Sequence, residues 1–224
     1  MVLLLSKVYD AYRRGVLPED VFSDLLNNVA RAEDCLTKVE EACGFSYPLT
    51  VVEPVLKILF FKESLSTAPV YAYTSPYYFG DRIRLSVVLS APLLLYASDQ
   101  LLVACLAHEL LHYVHLTLAL YKMKIEQLQG SRGVESLEGF LSFEEVSKAD
   151  AKEVFKGADW LVSLVKDVFS PVLDDPKLNE KTVKYWVERG LPSVRITPSE
   201  HVARIPLTDL HKLILDYRVV KMFG

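Results

Sequence analysis

The sequence predicts an α+β fold, mainly helical, with a small sheet set among the helices. Three observations carry this. Hydrophobic residues make up 51% of the 224 positions and charged residues 24%, so there are enough apolar side chains for a full core. Apolar residues recur at helical spacing over 18–44 and again through the second half of the chain. Between these stretches, over 62–90, turn residues alternate with segments of strand character. This length suits one domain over 1–224. Its expected parts are N-terminal helices over 1–61, a sheet-bearing core over 62–170 and a C-terminal helical part over 171–224.

Residues 2–14 read as a short helix. Pro18-Glu19-Asp20 opens a longer amphipathic one, because Pro suits a first turn and acids complement the helix dipole. Val21, Leu25, Leu26, Val29, Leu36 and Val39 form its apolar stripe, and Gly44 is the stop. Residues 49–61 fit helix or strand. The stretches KESLSTAP and TSPYYFGD carry loop chemistry, with a strand over 69–73 where VYAY is aromatic and β-branched. In DRIRLSVVLS, Ile83, Leu85 and Val87 alternate with Arg82, Arg84 and Ser86, the period of a half-exposed strand over 82–89 that Pro92 ends.

Ser98-Asp99 is the N-cap of a helix expected to run to about Gln129, before the GSRG breaker at 130–133. A second helical stretch starts near Val134 and extends toward Phe169. A loop around DDPKLNE, a short helix over 181–189, an extended LPSVRITPS and a closing helix over 207–222 complete the chain.

The formal net charge is −4, and the only local basic clusters are Arg13-Arg14 and Arg82/Arg84. Nucleic acid is therefore not an expected partner, since phosphate binding needs a basic surface. The three cysteines, Cys35, Cys43 and Cys105, have no framework spacing, which fits a reducing compartment. MVLLLSKVYDAYRRG lacks the order of a signal peptide, so a cytoplasmic location is expected. Residues 85–121 are apolar, but Pro92, Asp99, His108 and Glu109 interrupt them, and a membrane is not an expected partner.

Chemistry concentrates in residues 104–115, ACLAHELLHYVH. His108, Glu109 and His112 make an H-E-x-x-H pattern. Helical residues four apart share one face, so two imidazoles can hold one metal ion. Glu109 lies about 100° round the helix from His108, within reach of a water on that metal without being a ligand. Zn²⁺ lowers the pKa of such a water and the carboxylate can take its proton. The flanking Leu106, Leu110, Leu111, Tyr113 and Val114 are uncharged, so the helix is expected to be buried. Buried His and Glu side chains need partners. Without a metal, the histidines would be structural hydrogen-bonding groups in a core helix.

CLAHELLHYVH resembles the active-site helix of the zincin metallopeptidases, and the resemblance covers about residues 82–145. It implies a zincin-like fold in which an edge strand beside the HExxH helix binds extended peptide by backbone pairing. By similarity RIRLSVVL would be that strand. A metzincin needs Gly and His where this chain has His115 and Leu118, so that subclass is excluded, and His115 reads as a buried or supporting residue. In the gluzincins a Glu on a following helix completes the metal site. EGFLSF at 138–143 resembles the segment carrying that Glu in aminopeptidase-N-like gluzincins, which points to Glu138, although the preceding GVESL departs from their Trp-Leu-x-Glu-Gly pattern.

Helix geometry argues the other way. A helix unbroken to Gln129 would extend about 25 Å past His112, and a returning helix would reach the level of His112 only near residue 150. That favours Glu145, Asp150 or Glu153 over the other acids Glu135 and Glu144. Glu138 is the expected ligand if the helix breaks between His115 and Met123, with Glu145 in reserve. His201, His211 and Tyr185 are candidates to stabilise an oxyanion.

The expected function is therefore a zinc-dependent metallopeptidase acting on peptide or protein substrates. His108, His112 and Glu138 would bind Zn²⁺ and Glu109 would be the general base. The alternatives are a zincin-fold metal-binding or regulatory protein without peptidase activity, and a helical interaction protein without metal.

Overall fold

The computed structural model describes residues 3–129, 147–169, 173, 175–201, 205 and 207–224. It is an α+β fold with two small mixed sheets. The chain opens with β1 (Leu3–Leu4), α1 (Ser6–Arg13), α2 (Glu19–Asn27) and α3 (Val29–Cys43). The expected single helix from Pro18 is thus two helices. Asn28 divides them, its side chain donating to the Asp24 carbonyl at 2.8 Å, so the amide competes locally with helix continuation. Gly44 does end α3, in the left-handed region at φ 76°.

Residues 49–61, which fitted either element, form β2 (Thr50–Glu53) and β3 (Leu56–Phe61). The expected strand over 69–73 is split at Tyr71 into β4 (Ser66–Val70) and β5 (Ala72–Phe79). TSPYYF, expected as loop, is most of β5. Pro76 is tolerated there because β5 is an edge strand. β6 (Arg82–Ser90) follows a turn at Gly80.

The first sheet has the order β1-β2-β6-β5. β1, β2 and β6 are parallel, and β5 runs antiparallel to β6 from Ala72↔Leu89 to Phe79↔Arg82. RIRLSVVL therefore lies inside the sheet, paired with β5 along its length and with β2 from Val87 onward, and β5 is the outer strand on that side. Alternation marked β6 as a strand but said nothing of its neighbours. The second sheet, β4-β3-β7, is closed by β7 (Ser193–Ile196), which pairs parallel to β3.

α4 (Ala91–Tyr96) leads to α5 (Asp99–Gln129), the central helix. Ser98 caps it, accepting from the Leu101 N–H at 3.2 Å. Arg31 of α3 anchors the same turn, donating to the carbonyls of Leu94 and Ala97 and pairing with Asp99. α5 packs against α3, β5, β6 and two later helices. Leu102, Ala104, Leu106, Ala107, Leu110, Val114 and Leu120 are wholly buried. A buried leucine contributes about 2 kcal/mol, so this contact face is a major part of the core. Asp99–Met123 is long and apolar enough to cross a membrane by length and composition, although acids and histidines interrupt it. In this fold, 78% of its most apolar window is buried within the protein.

The second half is more broken than expected. The GSRG breaker and the start of the helix expected from Val134 lie outside the described residues; beyond them, residues 147–150 are irregular, followed by α6 (Ala151–Val154) and α7 (Asp159–Val168). Gly157 at φ 89° lies in the break between them. α8 (Pro176–Thr182) continues into a π-helical turn, Val183–Val187, and α9 (Pro198–His201) follows β7. The expected helix over 207–222 is a 3₁₀ turn (Leu207–Lys212) and α10 (Tyr217–Phe223), separated where Leu213 bridges to Ile83. All three cysteines are buried and free.

Candidate functional site

α5 places His108 and His112 one turn apart, with their Nε2 atoms 3.0 Å from each other. The His112 Nδ1–H donates to the Ser147 carbonyl at 2.8 Å. That bond fixes the tautomer, leaving the His112 Nε2 lone pair aimed at His108. The His108 ring lies flat on Phe169, 3.8 Å between centroids and 12° between planes. His108 Nδ1 is buried with no hydrogen-bond partner among the described residues.

Both imidazoles are held neutral. Burial, then the neighbouring His112 and Lys148, push His108 down to about 3. Burial lowers His112 as well, with Lys148 and His115 adding to it against the opposing bond to Ser147. Two neutral rings with converging Nε2 atoms are what a shared metal requires. Tetrahedral zinc holds nitrogen ligands at about 2.0–2.1 Å, which sets them about 3.3 Å apart. The two nitrogens stand closer than that, at the distance of an N–H···N hydrogen bond, so the pair would have to open slightly to share a zinc ion.

Glu109 is 7% exposed. Thr74, on β5, donates its hydroxyl toward Glu109 Oε2 at 3.3 Å and the Glu109 carbonyl at 3.2 Å. The carboxylate is thus tied to the antiparallel edge strand. Tyr47 braces the same turn, donating to the Leu106 carbonyl at 2.6 Å. Burial, then the charge of Glu109, raise its phenol well above the ordinary value.

Among the described residues no group of three or more His, Cys, Asp or Glu side chains could hold a metal ion. Glu138 lies outside them, as do Glu135, Glu144 and Glu145. The break in α5 on which Glu138 depended does not occur, since the helix runs uninterrupted from Asp99 to Gln129. β-branched Val114 and Thr117 are buried in its contact face and do not disrupt it. The returning chain instead meets His112 at 147–149, where Ser147 bonds the ring and the Ala149 N–H donates to the Leu111 carbonyl at 3.1 Å. Asp150 and Glu153 are both exposed, and Asp150 caps α6 by accepting from the Lys152 N–H. His115 is half-buried on the far side of His112 from His108 in sequence and belongs to no described ligand group.

The three oxyanion candidates stand elsewhere. His201 packs edge-on against Tyr73, 5.1 Å between centroids. Tyr73 is next to Thr74 on β5, so strand alternation puts His201 on the sheet face opposite Glu109. His211 is exposed, and Tyr185 is an exposed ring beside Tyr96. Thr74, Tyr47, Ser147 and Phe169 had no sequence signal as site residues, because each arrives through a tertiary contact. Compared with known protein families, curated proteins and solved structures, the chain matches none.

Proposed function

We propose that the chain is a zinc-dependent metallopeptidase of gluzincin type, hydrolysing peptide bonds in peptide or protein substrates. The observation that carries this reading is the convergence of two neutral imidazoles, His108 and His112, beside a buried carboxylate that faces an antiparallel edge strand. His108 and His112 would hold zinc together with one carboxylate from the following segment. When bound, the metal supplies Lewis-acid activation of water and of a substrate carbonyl.

Glu109 is the general base in this reading, accepting a proton at its carboxylate. Its burial and its contact with Thr74 keep it oriented without making it a ligand. β5 is the outermost strand of its sheet among the described residues, and its outer edge is the surface on which an extended peptide would add as a strand. Glu138 is favoured as third ligand by its motif, and Glu145 by the unbroken α5 and its place two residues before Ser147. A second reading, a metal-binding protein that does not cleave peptides, draws on Phe169 covering one face of His108.

The test is metal analysis and hydrolysis of unfolded casein by the zinc-loaded chain. Glu109→Gln should keep zinc and lose cleavage. Retained cleavage would overturn the peptidase assignment, and absence of zinc in the wild-type chain would end the metal reading.

A further inference from the structure

Thr74 is 3% exposed and sits on the edge strand, yet its hydroxyl reaches both the backbone carbonyl and the carboxylate of Glu109. A threonine hydroxyl has one proton to donate, and an ionised carboxylate is the stronger acceptor of the two. Threonine is also stiff at χ1, so the strand backbone aims the hydroxyl. Glutamate has no such stiffness, and its carboxylate needs an external partner to hold one orientation.

We propose that Thr74 is a positioning residue for Glu109, tying the general base to the strand along which the substrate lies. The inference rests on the peptidase reading above. Its consequence is geometric. β5 would set the register of an added peptide, and the same strand fixes the carboxylate, so base and scissile bond share one frame. Reacting groups misplaced by about 1 Å can lose about a hundredfold in rate, which makes a shared frame matter.

The test compares Thr74→Val, which keeps shape and removes the hydroxyl, with Thr74→Ser, which keeps the hydroxyl. Glu109→Gln is run alongside in the full-length zinc-loaded chain. Two readouts are taken: kcat and KM on a fluorogenic peptide, and binding of acetohydroxamate, a zinc chelator whose hydroxyl proton a neighbouring carboxylate accepts. Thr74→Val should keep its zinc, lose about tenfold or more in kcat with KM within about twofold, and weaken acetohydroxamate by a similar factor. Thr74→Ser should recover most of both.

Ser86→Ala is the structural control. It removes another buried hydroxyl that bonds β5, at the Ser75 carbonyl 3.1 Å away, and should leave kcat unchanged. Where valine prevents folding, Thr74→Ala with circular dichroism carries the same comparison. Unchanged kcat and acetohydroxamate affinity in Thr74→Val, or a serine variant as impaired as valine, would overturn the role of Thr74. If Glu109→Gln loses cleavage while Thr74→Val does not, only the positioning role falls. If the wild-type chain cleaves nothing but the acetohydroxamate pattern holds, the positioning role stands and the peptidase reading falls. If neither substitution alters either readout, both fall.

Discussion

The Ser147 carbonyl accepts the Nδ1–H of His112 at 2.8 Å. This one bond does two things. It commits the His112 Nε2 lone pair to the inside of the site, and it shows where the chain returns after α5. Both consequences bear on metal binding.

Zinc should stabilise the folded chain. A ligand at about one hundred times its Kd adds about 2.7 kcal/mol. Differential scanning calorimetry should therefore show the Tm rising with zinc, and His112→Ala should abolish the rise. An equal rise in His112→Ala would place the metal elsewhere.

The third ligand can be assigned by subtraction. The unbroken α5 and the contact at Ser147 favour Glu145, so Glu145→Ala should lose zinc in a competition titration while Glu138→Ala keeps it. The reverse result would restore the motif-based choice of Glu138.

The metal-free chain should be acid-sensitive in a defined window. A histidine whose folded pKa is depressed binds its proton more readily when unfolded. Its stabilising effect is complete above the unfolded value near 6.5 and declines as pH falls toward the folded value. For His108, held at about 3, the loss by pH 5 is on the order of 2 kcal/mol. Urea melts of wild type and His108→Gln at pH 7 and pH 5 should show a smaller acid loss in the variant.

Tyr47→Phe removes a buried hydroxyl that donates to the Leu106 carbonyl. The expected loss is about 1 kcal/mol of stability by chemical denaturation. Zinc stoichiometry should be unchanged, because the histidines are held by other contacts.

The placement of the candidate site's histidines was legible because helix geometry is local. The i, i+4 spacing of His108 and His112 follows from helix geometry alone, and Ser98 and Gly44 mark helix ends by their own side-chain or backbone preferences. The sheet was less legible. Pro76 disguised β5 as loop, since a proline is a strand residue only at an edge, and edges are set by pairing partners far away in sequence. For the same reason β6 was mistaken for the outer strand. The length of α5 was readable, and the geometry that followed from it placed the returning chain near the level of His112. A short motif match at Glu138 pulled against that arithmetic.

The pairing of β3 with β7 joins Leu56 to Ser193 and Leu59 to Ile196. On the ribosome, β3 would emerge and pair with β4 while its other edge waited for β7. At about 5–20 residues per second the wait is on the order of ten seconds. During that interval the nascent chain would expose a strand edge able to pair with a neighbour, so completion of the second sheet removes an aggregation hazard that the chain order leaves open during synthesis.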